Sequence, residues 1–170
     1  MNPTYIAVLA LVVVACIPDL RTRRIPNVLT IGAALAGFAF HALSGGWSGA
    51  ATSAGGWVLG LALFFPMFAL RGMGAGDVKL LGAIGAWLGP GQVLWVAMLT
   101  SVAGGVLGVV IALRHGYLRT ALSNLQFMLT SWWISGVRPM PTVTLADYHG
   151  PRLAYAIPMA IGTMVTLWLN

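Results

Sequence analysis

Two carboxylates, Asp19 and Asp77, stand out in a chain of 170 residues that holds only three acidic side chains. Each sits at the edge of a long apolar run. An aspartate at lipid depth costs roughly 2.5–3.5 kcal/mol on insertion scales, so an ionisable group there points to function. A pair of carboxylates can hydrolyse a peptide bond. One takes a proton from water as it attacks the carbonyl, while the other, protonated, hydrogen-bonds the carbonyl oxygen. Proximity produces that mixed state, because two adjacent like charges cannot both ionise cheaply. The proton then belongs to the pair, not to either residue.

Each acid also has a plainer reading. Asp19, after Pro18, could cap a helix or pair with Arg21, Arg23 or Arg24. Asp77 could be the N-cap of a helix starting at Val78. Lys79 lies two positions beyond Asp77, so on a helix the two would not share a face. It is either a charge-compensating group or an ordinary membrane anchor. Pro26 reads as the first residue of a helix. Asp147, in a polar Leu-Ala-Asp-Tyr-His-Gly stretch, reads as a solvated loop residue. Cys16 is the single cysteine, and His41, His115 and His149 are far apart, so neither a disulfide nor a metal site is expected. The glycine-rich run 72–76 lacks the Lys-Ser/Thr ending of a phosphate loop.

The elements that must position these residues are membrane helices. Hydrophobic residues make up 59% of the chain and charged ones 7%, against about 25% charged in soluble proteins. Mean hydropathy is +0.89. The net charge of +6 belongs to membrane-facing loops and anionic lipid, not to nucleic acid. Residues 3–18 make a retained first span. Val28 to Leu70 and Leu80 to Leu113 are uncharged runs that each hold two spans, with turns at 44–49 and 89–91. Leu153 to Leu169 is the last span.

With the N-terminus outside, six spans place loops 19–27, 71–79 and 114–152 on one face. Those loops carry all nine Lys and Arg residues, which makes that face cytoplasmic. Residues 118–133 repeat apolar side chains at helical spacing, as in an amphipathic helix lying in the interface; a seventh span is the alternative. The stretch Arg138-Pro-Met-Pro-Thr142 then reads as a stiff loop. The expected fold is an all-α membrane protein: a six-span transmembrane helical bundle, residues 1–170 as one domain, both termini outside.

Three motifs carry a resemblance. Asp19-Leu-Arg-Thr-Arg-Arg-Ile-Pro-Asn27, Gly74-Ala-Gly-Asp-Val-Lys79 and, more weakly, Leu153-Ala-Tyr-Ala-Ile-Pro-Met-Ala-Ile-Gly162 resemble the signatures of the type IV prepilin peptidases. The match is nearest to the short form that accompanies Flp/Tad-type pilus systems. Ala154 stands where that family frequently has Pro.

The resemblance implies an aspartic endopeptidase of the bacterial inner membrane with no cofactor. It would cut a prepilin's basic leader from the apolar helix that follows, at the cytoplasmic membrane edge. Asp19 and Asp77 map onto the catalytic aspartates. Gly74, Gly76, Lys79, Pro26 and Asn27 fall in the surrounding motifs, where the glycines would keep the backbone thin for an extended substrate. The longer family members add a cysteine-bearing domain and N-methylate the product, which is not expected here. The prepilin and anionic membrane lipid are the expected partners. The rival functions are a proton- or cation-coupled transporter using the same two acids, and a non-catalytic assembly subunit.

Overall fold

The computed structural model describes residues 2–136 and 153–169. The expected loop at 138–142, Arg152, Asp147 and His149 lie outside them. Five helices make up the described chain: α1 (Pro3–Thr22), α2 (Asn27–Ala69), α3 (Ala75–Arg114), α4 (Leu118–Ser135) and α5 (Ala156–Leu169). No strand occurs among the described residues. By length and composition α1, α2 and α3 are long and apolar enough to cross a membrane, and α5 is a shorter apolar helix.

The boundaries follow local chemistry. Asn2 caps α1 by accepting the Thr4 N–H at 3.1 Å, and Pro3 sits in the first turn, where a missing N–H costs nothing. The helix runs four residues past the expected end at 18, so Asp19 lies within its last turn. It stops where Arg23 takes a left-handed backbone (φ 55°). Pro26 is the residue before α2, extended at φ −61° and ψ 136°, so the helix begins one residue later than expected, at Asn27. Similarly, α3 begins at Ala75, with Gly74 as its N-cap, and not at Val78.

Six continuous helical spans were expected, yet α2 and α3 each take up two of them. Each is interrupted at one glycine: Gly46 (φ 57°, ψ −142°) and Gly89 (φ 77°, ψ 176°). Both fall inside the expected turns, and both backbone conformations favour glycine. The chain doubles back at each break. A Cβ on Gly49 would collide with the carbonyl of His41, and one on Gly85 would touch Val93 Cγ2 at 3.2 Å. In a straight helix residues eight apart would be roughly 12 Å apart along the axis. Each long helix is therefore two limbs.

Small residues join the limbs. The second limb of α2 (47–69) lies against the first limb of α3 (75–88) with backbones in contact. A Cβ on Gly56 would overlap the Gly85 carbonyl, and one on Gly60 would come within 2.6 Å of the Leu81 carbonyl. Such close approach lets dispersion do what the hydrophobic effect cannot do between helices in lipid. Buried polar side chains pin the same region: Ser53 Oγ donates to Ala86 O at 2.7 Å, and Trp87 Nε1 donates to Ala33 O at 2.8 Å. The core gathers around the wholly buried Leu80, Leu81 and Ile84 of α3, with Val8 and Val12 of α1 and Met159 of α5.

The amphipathic element forms a helix at 118–135, two residues longer than expected, and it is not apolar enough to rank as a span. Leu122, Leu125, Phe127 and Trp133 remain exposed on it.

Candidate active site

Asp19 is placed by the inward stripe of α1. Thr4, Val8, Leu11, Val12, Ala15 and Asp19 are the buried residues of that helix, and their i, i+3, i+4, i+7 recurrence puts them on one face. The aspartate continues the stripe and is only 5% exposed. Its Oδ2 accepts the backbone N–H of Ala156, the first residue of α5, at 3.0 Å. A carboxylate buried this deeply needs such a partner, because an unsatisfied charge away from water is costly.

Asp77 is placed by the start of α3. It is the third residue of the helix, and its Oδ2 accepts the N–H of Gly74 at 3.2 Å. The bond satisfies one of the amides a helix N-terminus leaves open. Asp77 thus caps the helix from inside its first turn and does not stand in front of it. The two aspartates are within reach of each other's charge, and Tyr155 is within reach of that on Asp77. The end of α1, the start of α3 and the start of α5 thus converge, with Asp19 bonded to the first amide of α5 and Tyr155 beside it packed on α3.

The remaining motif residues form the frame. Gly76 faces Ile25, whose Cβ would be 3.1 Å from a Cβ at that position. Its missing side chain lets the segment between α1 and α2 rest on α3, so that space is filled by the chain itself. A Cβ on Gly74 would lie 3.1 Å from Asp77 Oδ2. Lys79, being on a helix, turns away from Asp77, and its Nζ donates to Asn27 Oδ1 at 2.9 Å. The charge-compensating reading of Lys79 gives way to a tie between the two signature motifs. Pro26 lines an open apolar groove of about 640 Å³ between α1 and the first limb of α2, with Trp87 on its wall. Lys79 lines a second apolar cavity, of about 390 Å³, between the limbs of α2.

Three features escaped the sequence reading. The amide of Ala156 has no side-chain signature, since any residue but proline supplies an N–H. Tyr155 was legible only as part of the weaker third motif. The stripe ending in Asp19 was visible in the spacing 8, 11, 12, 15, 19, and it distinguishes an inward-facing acid from a solvated cap. Among the described residues no cluster of His, Cys, Asp or Glu has the makings of a metal site.

Both aspartates fall inside the part of the chain, residues 6–109, that matches the family described as the type IV leader peptidase family. The chain is similar to a "Prepilin leader peptidase/N-methyltransferase" of Aeromonas salmonicida, 29% identical over 125 residues, which cover 69% of this chain and 43% of that protein. A protein of the same description from Burkholderia pseudomallei is 33% identical over 103 residues, covering 56% and 33% of the two chains. A third, from Xanthomonas campestris pv. campestris, is 46% identical over 46 residues, 27% of this chain and 16% of its own. The chain thus spans less than half the length of these curated relatives. No solved structure matches it. With the family match running over 6–109 and taking in both signature aspartates, the chain belongs to the type IV leader peptidase family.

Proposed function

We propose that this chain is an aspartic endopeptidase that removes the leader from a prepilin, of the Flp type, at the cytoplasmic edge of the bacterial inner membrane. The observation that carries this reading is the buried Asp19 lying within charge reach of Asp77. In each carboxylate one oxygen is held by a backbone N–H, and the other has no hydrogen-bond partner among the described residues. The free oxygens suit the two roles. The ionised member takes a proton from water as the water oxygen bonds to the scissile carbonyl carbon. The protonated member hands its proton to the carbonyl oxygen. When the tetrahedral species collapses, the C–N bond breaks and the leaving amine takes up a proton from the pair.

The breaks at Gly46 and Gly89 support six membrane crossings, counting α1, two limbs each of α2 and α3, and α5. The end of α1 and the starts of α2, α3 and α5 then share one side. Arg21, Arg23, Arg24 and Arg71 are exposed on that side, which suits a cytoplasmic face against anionic lipid. The apolar groove between α1 and the first limb of α2, with Pro26 on its wall, offers the prepilin's hydrophobic helix a surface.

The test is reconstitution of the full chain in lipid with an Flp-type prepilin, followed by mass spectrometry of the products. The proposal expects a single cut between the basic leader and the apolar helix. A prepilin that stays full-length, or is cut equally with Asp19→Asn, would remove the peptidase reading and leave transport or assembly.

A further inference from the structure

The bond between Asp19 and Ala156 joins residues 137 positions apart, and no sequence motif announces it. Ala156 is wholly buried and opens α5. Asp19 is 5% exposed and closes α1. Its one hydrogen bond among the described residues is the amide of the last helix. Beside it, the Tyr155 ring lies against Gly104 of α3, its Cε1 3.5 Å from where a Cβ would stand. Further along, Gly162 comes so close to Thr100 that a Cβ would lie 2.6 Å from the Thr100 backbone nitrogen. The start of α5 is therefore fixed against α3, the helix that carries Asp77.

We propose that the Ala156 backbone amide is a positioning donor for catalysis: it fixes the plane of the Asp19 carboxylate and directs its free oxygen toward Asp77. The inference rests on the peptidase reading and assigns that site a third element. A carboxyl group turns about its Cβ–Cγ bond through a broad, soft torsion. An acceptor bond on one oxygen removes that freedom, and pre-set geometry is what a reacting group needs. The Gly74 amide does the same for Asp77. The last helix thereby helps set the geometry between the two acids, although it contributes no acid of its own.

Two measurements on the full chain in lipid test this. The first replaces the amide by an ester, Ala156→lactic acid, through nonsense suppression, which deletes the N–H and keeps the side chain and shape. A bond to a charged acceptor corresponds to about 10- to 100-fold, so kcat for leader cleavage should fall by that factor with KM within about twofold. Ala156→Gly, which retains the N–H, should restore most of kcat. An unchanged kcat for the ester overturns the proposal; so does a loss confined to KM, which would put the start of α5 in substrate binding.

The second measurement needs neither the ester nor a substrate. With isotope-labelled alanine, the Ala156 amide proton should move upfield in Asp19→Asn, because a charge-assisted bond is lost. A resonance that does not move overturns the positioning bond, even if the chain cleaves leaders. A shifted resonance in a chain that cleaves nothing upholds the bond and sinks only the peptidase reading.

Discussion

Asp19 shows how a single position carries two meanings. By neighbourhood it is a juxtamembrane acid before three arginines; by helical phase it is the last residue of a buried stripe. Phase decides, because a side chain's burial follows its face and not its adjacent charges. For Lys79, the sequence excluded a shared face with Asp77 once α3 was helical, yet it offered no partner. Asn27 supplies that partner at 2.9 Å, a contact between residues 52 apart that no local pattern encodes. The bond is partly solvated, so Asn27→Leu should lower stability by about 1 kcal/mol. Lys79→Met should add little to it, because both changes delete one interaction. Thermal melting of the single and double variants in detergent reads this; additive losses would show that the two side chains act separately.

At the scale of elements, the glycines divide into two kinds. Gly46 and Gly89 were readable as turns because Ser44-Gly-Gly-Trp-Ser-Gly49 and Gly89-Pro-Gly91 are strong breakers. What hid from the sequence was that helix resumes at once on both sides of each break. Gly89→Ala should cost about 1–3 kcal/mol, since its φ of 77° strains any L side chain. A new Cβ there would also stand 3.0 Å from Thr52 Cγ2. Gly56 and Gly85 looked like composition, yet they are an interface. Because each meets backbone, which cannot rotate aside, Gly56→Val should destabilise by about 3 kcal/mol, the upper end of overpacking costs. Urea or thermal unfolding in detergent checks both; a Gly56→Val chain as stable as its parent would mean that the limbs do not touch there.

Taken whole, the molecule was legible in class and in order. Charge-free runs mark the apolar segments, and the positions of the nine basic residues predict a sidedness. The closure of the bundle was not legible, because it depends on contacts between distant glycines and on one backbone amide. Sidedness has its own test. After Cys16→Ser, a cysteine introduced as Ser48→Cys should react with an impermeant thiol reagent from the periplasm. One introduced as Gly116→Cys should react only after the cytoplasm is opened. Labelling of both from one side would break the six-crossing arrangement and with it the common face of the two acids.

The central claim is that Asp19 and Asp77 work as one catalytic unit. Its most direct test is the cleavage rate of purified Asp19→Asn, Asp77→Asn and the double variant, each shown to be folded by its melting curve. Removing either member of a working pair should cost about 10²- to 10⁴-fold, and removing both should cost little more than removing one. A single variant that cleaves at the parent rate, or losses that multiply in the double variant, would contradict the account.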